Sequence, residues 1–117
     1  MANEITVALQ MAVNKGLLTV ERSITFQATL TGSAMQHGVQ SIGTTKEDLV
    51  LGDVATPGFM ALRNLDATNY VAYGADADSP FGILKAGEGC ILRLAAAPVS
   101  IKANTAAVNV EYWVLED

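Results

Sequence analysis

Large apolar residues alternate with small or polar residues in two neighbouring segments near the start of the chain. They fall on odd positions from Ile5 to Val13 and on even positions from Leu18 to Leu30. Successive side chains of a β-strand point to opposite faces, so this period of two predicts two strands joined at Asn14-Lys15-Gly16. The pattern thus predicts a long hairpin whose inward side chains include Val7, Leu9, Met11, Val20, Ile24 and Phe26.

Arg22 interrupts this pattern, because it falls on the even, apolar positions of the second segment. An unpaired buried arginine has a large desolvation cost, so its guanidinium is not expected in the core. Three arrangements remain open. A β-bulge near Glu21-Arg22 would shift the register, Arg22 would lie beyond the core edge with its stem buried, or it would face a neighbouring subunit.

The remainder of the chain consists of short β-type segments separated by turn residues. Thr56-Pro57-Gly58 is a typical turn, and Asp66 to Asn69 carries side-chain oxygens that can accept bonds from nearby amides. Thr45 to Asp48 has the capping pattern of one helical turn, although Leu49 to Gly52 is more typical of a strand entering a turn. The expected later strands lie near 39–43, 49–51, 59–65, 70–73, 81–85, 90–94, 99–103 and 107–115.

The spacing of these segments predicts the fold class. Turn signals every ~8–12 residues, with no helix-length segment of period 3.6, are typical of an antiparallel sandwich or barrel. A chain of 117 residues has the length of one domain. We therefore expect a single all-β domain over residues 1–117, an antiparallel β-sandwich of eight to ten strands with a jelly-roll-like topology.

Charge and hydrophobic content favour contacts between proteins. The net charge is −5 and the seven cationic residues are scattered singly, which argues against binding to nucleic acid. Charged residues make up 16% of the chain, below the usual ~25%, while 50% of the residues are hydrophobic. Subunit contacts are the simplest cover for such a surface, so we expect a homo-oligomer, preferably a trimer. We expect no membrane helix and no signal peptide, and we therefore expect synthesis in the cytoplasm.

The residue inventory does not favour an enzyme. His37 is the one histidine, in an expected glycine-flanked loop over 32–38, and no Gly-x-Ser-x-Gly elbow lies nearby. Cys90 is the one cysteine, and its alternation with Leu92 and Leu94 predicts that it faces the core. A zinc site needs several His or Cys ligands. We expect no catalytic residue, no cofactor and no metal.

Asp76-Ala77-Asp78 resembles the start of a calcium-binding loop. Pro80 and Phe81 occupy the positions where an EF-hand needs Asp or Asn and then Gly, so the match fails. The expected structure is a solvated acidic loop, with a hard-cation site as the alternative. Aromatic residues make up only 6% of the chain, which argues against a sugar-binding cleft, and Tyr73 and Trp113 are the candidates for exposed contact.

A run from Gly52 to Gly58 continues into Leu62 to Val71, then Leu84 to Glu88 and Arg93-Leu94. In these segments the chain resembles small β-sandwich structural proteins of tailed bacteriophage virions, over about two thirds of its length. The resemblance implies a jelly-roll-like subunit of the capsid surface or the tail. Such subunits often trimerise and sit at local three-fold axes of the capsid as cement, and they contribute no catalytic residues.

We therefore expect a virion structural protein, first of all a capsid decoration (cement) protein that binds the major capsid protein or other virion proteins. The alternative is a tail- or fibre-associated module that recognises a host glycan or protein. Residues 1–4 or the 32–38 loop are expected to carry the particle contact, since termini and glycine-flanked loops can order on binding. The interface candidates are Met1, Ala2, Asn3, Glu4, Arg22, His37, Tyr73 and Trp113.

Overall fold

The computed structural model of the chain describes residues 3–95 and 97–117. Its contacts divide the chain into two compact units, Met1–Thr31 and Gly32–Asp117. The expected single domain over residues 1–117 stays a prediction. The interface candidates Met1 and Ala2 lie outside the described residues.

The regular secondary structure of the described residues consists entirely of β-strands, which confirms the predicted all-β class. The first unit contains β1 (Ile5–Lys15) and β2 (Leu18–Ala28). The second unit contains β3 (Met35–Ile42), β4 (Glu47–Asp48), β5 (Pro57–Asn64), β6 (Val71–Gly74), β7 (Gly82–Leu84), β8 (Gly89–Arg93), β9 (Ser100–Ala103) and β10 (Val108–Glu116).

The first unit is an antiparallel hairpin, which we call the arm (residues 5–28). Its strands pair without interruption up to Lys15 opposite Leu18, as the alternating pattern predicts. Gly16 is the first of the two loop residues and has a φ of 58°, which suits a type II′ turn. The continuous register excludes a β-bulge at Arg22.

The prediction that the alternating apolar residues of the arm face a core is wrong for all but Val7. Val7 is 6% exposed, whereas Met11 is 78% exposed. The alternation correctly places these residues on one side of the hairpin, but a period of two does not specify what covers that side. The other exposed members of the predicted inward set are Leu9, Val20, Ile24 and Phe26.

The second unit is a β-sandwich of two four-stranded sheets. One sheet has the strand order β3-β10-β5-β8 and the other has the order β4-β9-β6-β7. The first strand of the unit pairs with the last, the second with the next to last, and so on inward to the β6–β7 pair, always antiparallel. This is the winding of a jelly roll, and it confirms the predicted fold class.

The core of the second unit, which we call the body (residues 32–117), lies between its two sheets. Alternate residues of β10 from Val108 to Val114 are buried, and Val71 and Ile101 of the other sheet belong to the same cluster. Asn64 is a buried polar residue in this unit, and its side-chain amide donates to Leu84 O and Asn69 O, both at 2.9 Å. Hydrogen bonds to the backbone therefore offset the cost of burying this amide.

The segment around β4 differs from its expected structure. Glu47 and Asp48 pair with β9, so they form a short strand and not a helical turn. Leu49 follows that strand as a buried loop residue, and its N–H donates to Val99 O at 3.1 Å. The strand expected at 49–51 is thus replaced by a loop in which Leu49 belongs to the core cluster and Leu51 packs against it, whereas Val50 is exposed.

Substitution of Ile101 by alanine should lower the free energy of unfolding by about 2–5 kcal/mol, because truncation of a core isoleucine leaves a cavity. Ile101 is 0% exposed, whereas Ile83, in the same sheet, is 46% exposed. Ile83→Ala is therefore the matched control, with an expected loss under about 1 kcal/mol. Chemical denaturation measures both, and equal losses would contradict the assignment of Ile101 to the core.

Candidate interaction surfaces

One side of the arm is apolar and, apart from buried Val7, largely exposed, and we call it the arm face. Intervening positions such as Thr6, Ser23 and Gln27 carry polar side chains, which the alternation of a strand directs to the other side. The separation of the two sides follows directly from the uninterrupted register. The cross-strand pairs of the arm face, from base to tip, are Ile5–Ala28, Val7–Phe26, Leu9–Ile24, Met11–Arg22, Val13–Val20 and Lys15–Leu18.

Arg22, an interface candidate from the sequence, lies in the middle of the arm face. It is exposed and stands directly opposite Met11. In the described part of the chain, all ion pairs involve other residues. Its guanidinium is therefore accessible to a carboxylate of another molecule.

The outward side of the β3-β10-β5-β8 sheet is a second exposed apolar surface, which we call the outer sheet face. An outward face of an antiparallel sheet is usually polar. The register instead places His37, Trp113, Ala61 and Ile91 in one row across the four strands. Met35, Val39, Ile91 and Trp113 are its exposed apolar members, and its charged members include Glu111, Arg63 and Arg93.

His37 and Trp113 are neighbours on the outer sheet face, so the structure brings two of the predicted candidates together. Their rings meet edge to face with centroids 5.7 Å apart, and His37 Nε2 lies 3.5 Å from Glu111 Oε2. Met35 joins them around a shallow depression of about 390 Å³. His37 belongs to β3, so the prediction that it lies in a loop is wrong; the strand already begins at Met35.

Sequence reasoning missed the apolar side chains of β3 as surface residues. Met35 and Val39 are exposed while Gln36 and Gln40 are half-buried, which reverses the usual polarity of a strand in a sandwich. Hydrogen bonds explain why the polar side chain of Gln40 is half-buried, because its Nε2 donates to Glu47 Oε1 at 2.9 Å and to a backbone carbonyl. The available signal was the alternation of apolar and polar residues over 35–40, which we divided between an expected loop over 32–38 and an expected strand over 39–43.

Tyr73 is buried, so the prediction that it offers an exposed contact is wrong. Its ring packs edge to face on Phe81, with centroids 5.4 Å apart, and Phe81 is the exposed ring of this pair. Burial raises the pKa of Tyr73 to about 12, and neighbouring Cys90 adds to the rise. Burial also raises the pKa of Cys90, which packs against the core as predicted, so its thiol is a poor nucleophile at neutral pH.

The Asp76-Ala77-Asp78 loop forms a charge-balanced cluster with two lysines. Lys46 Nζ lies 3.1 Å from Asp76 Oδ1, and Lys102 Nζ lies 2.8 Å from Asp78 Oδ1. A backbone hydrogen bond from Asp78, followed by Lys46, lowers the pKa of Asp76, and Lys102 lowers the pKa of Asp78. Over residues 3–95 and 97–117, no group of three or more His, Cys, Asp or Glu residues is placed to hold a metal ion.

Glu116 connects the end of β10 to two other segments of the body. Its Oε1 accepts the N–H groups of Ser33 at 3.1 Å and Ala34 at 3.4 Å, and its Oε2 accepts that of Ala55 at 3.3 Å. The bonds from Ala55, Ser33 and Ala34 lower the pKa of Glu116. Gly32 leaves space for this carboxylate, since a Cβ at that position would overlap it.

These bonds also bear on the expected particle contact. The segment 32–38 is not a free loop as predicted, because β3 begins at Met35 and Glu116 holds the amides before it. At the N-terminus, Asn3 and Glu4 are exposed, and Asn3 has a φ of 65°. The particle contact expected for residues 1–4 stays a prediction.

Comparisons with protein-family models, with curated proteins and with solved structures each find no match to this chain. The resemblance to bacteriophage proteins therefore stays a prediction. The residues that the structure describes include no helix long and apolar enough to cross a membrane.

EDTA should leave the melting temperature unchanged, because the carboxylates of Asp76 and Asp78 are already paired with lysines. A metal that bound only the folded state would stabilise it by mass action, and its removal would lower the melting temperature. Differential scanning fluorimetry with and without EDTA makes the comparison. A drop of several degrees that calcium restores would contradict the prediction and identify this loop as an ion site.

Replacement of Glu116 by glutamine should destabilise the protein at neutral pH, since the new amide nitrogen cannot accept the hydrogen bonds that one carboxylate oxygen receives. The pKa of Glu116 is lowered from 4.5 in the folded state, so its contribution is present above that value and is lost as the pH falls through the lowered pKa. The melting temperatures of the two proteins should therefore converge in acid. A difference that persists unchanged into acid would contradict this role of the ionised carboxylate.

Proposed function

We propose that this chain is a structural protein of a bacteriophage virion, a capsid decoration (cement) protein that works as a homo-oligomer, preferably a trimer. The observation that carries the proposal is the exposed arm face on a chain whose second unit is a jelly roll. The sequence resemblance to virion proteins is the reason for proposing that the particle is a bacteriophage. The major capsid protein is the proposed partner.

The arm supports a function in assembly, because a hairpin of this kind has little stability of its own. A lone two-stranded hairpin is marginally stable in water. Burial of apolar surface contributes about 25 cal/mol per Å², so a protein that covered the exposed side chains of the arm would stabilise it. A cement subunit acts through such contact area across subunit boundaries, and it requires no reactive group.

The body supports the same role. Jelly rolls are a common architecture of viral capsid proteins. Three reactive or ionisable side chains of the body already have partners within it: Cys90 packs against the core, Asp76 pairs with Lys46, and His37 packs on Trp113. A trimer also matches a local three-fold axis of a capsid, because the capsid presents the same contact three times around that axis.

The full-length protein, mixed with phage heads that lack it, should sediment with the heads and saturate at a stoichiometry that is a multiple of three. Cryo-electron microscopy of the decorated heads should place it on the outer surface at local three-fold axes. Heads that already carry the protein are the control and should bind no more. Protein that stays in the supernatant, or density on the tail alone, would contradict the proposal.

A variant lacking residues 1–4 should bind these heads more weakly than the full chain at equal concentration. Its melting temperature should match that of the full chain, because Asn3 and Glu4 are exposed and precede the first strand. Equal occupancy of the two proteins would exclude the N-terminal segment as the particle contact.

A further inference from the structure

We propose that Trp113, together with Glu111 and His37, forms a binding site for a sugar ring on the outer sheet face. The ligand is a neutral saccharide, whose ring has apolar C–H faces and hydroxyl groups around its edge. This site does not depend on the virion role, since it consists of side chains of the body alone. The chain is poor in aromatic residues, but such a site needs only one exposed ring.

The indole of Trp113 is the apolar platform of the site. Trp113 is 42% exposed, although β10 is an interior strand of its sheet. The two neighbouring strands place His37 on one side of it and Ala61 on the other. Alanine is too small to cover an indole, and the rings of His37 and Trp113 meet edge to face. Part of the indole is therefore accessible to a flat apolar surface such as the C–H face of a sugar ring.

Hydrogen-bonding groups lie beside this platform. Glu111 Oε2 is 3.5 Å from His37 Nε2, and both side chains line the depression of about 390 Å³ together with Trp113 and Met35. A carboxylate accepts hydrogen bonds, whereas a neutral imidazole has one nitrogen that donates and one that accepts. Each hydroxyl group of a sugar can both donate and accept, so neighbouring hydroxyl groups on one ring suit this pair of side chains.

The charges around the depression favour a ligand without charge. Glu111 contacts His37 of β3 and is in register with exposed Arg63 of β5, on the same side of the sheet. A cationic ligand would be repelled by Arg63, and an anionic ligand would be repelled by Glu111. A neutral molecule with several hydroxyl groups meets neither repulsion and can still bond to the charged side chains.

Phe81 provides a matched control in a different depression of the body. It is 72% exposed and lines a depression of about 480 Å³, in which Leu92, Leu94 and Pro98 also take part. That lining is mainly apolar, so it offers no close pair of donor and acceptor beside the ring as Glu111 and His37 do. Loss of the Phe81 ring should therefore leave saccharide binding unchanged.

Saturation-transfer difference NMR on the full-length protein tests the site. The probes are short oligomers of glucose, galactose, mannose and N-acetylglucosamine, and at least one of them should receive saturation from the protein. Its addition should also change the fluorescence of Trp113, which is the one tryptophan of the chain. Trp113→Ala should weaken binding about tenfold or more because the ring contact is lost, and Glu111→Ala should weaken it as well. Phe81→Ala should bind as the wild type does.

Thermal melting of each variant checks that it is folded. If Trp113→Ala does not fold, Trp113→Tyr replaces it, and its smaller ring should give intermediate binding. The proposal is overturned if no probe binds, if Trp113→Ala binds as the wild type does, or if Phe81→Ala weakens binding equally. Tighter binding of tetramethylammonium than of every saccharide would overturn it in favour of a cation site. Sedimentation velocity in which Trp113→Ala shifts the boundary towards the monomer would overturn it in favour of a subunit contact.

Discussion

The pairing of the last strand with the first strand of the body is the constraint on which the jelly roll depends. β10 lies between β3 and β5, so its hydrogen bonds join segments that are far apart in the chain. Its alternate residues from Val108 to Val114 supply buried side chains to the core cluster, and Glu116 at its end binds the amides before β3 and after Val54. In chain order, the remaining strand pairs, down to β6–β7, lie between the two strands of this outermost pair.

Much of the strand pattern could be predicted from the sequence, because the alternation of side chains and the turn residues are local signals. The register of the arm and the side chain of Asp66, which accepts bonds from Thr68 N and Asn69 N, agree with those signals. Burial could not be predicted in the same way. Alternation assigns Met11 and Ile24 to a common side but carries no information on whether a second layer covers it, and the arm consists of two strands only.

The reversed polarity of β3 shows why the outer sheet face escaped prediction. Gln40 is half-buried because its side chain binds Glu47 and the Val50 amide, which belong to a segment beyond the end of the strand. Such side-chain bonds depend on the tertiary structure, and no period in the sequence reports them. Once Gln36 and Gln40 point inward, the alternation of the strand turns Met35 and Val39 outward.

The arm also has a consequence for the newly made chain. It precedes the body in the sequence, so it leaves the ribosome first. Both of its long edges lack a neighbouring strand within the described residues, and unpaired edges next to apolar side chains invite pairing with other chains. Arg22 in the middle and Lys15 near the tip place charges along this ribbon, as gatekeeper residues do in aggregation-prone segments. Because like charges repel, these positive charges disfavour contact between the apolar sides of two newly made chains.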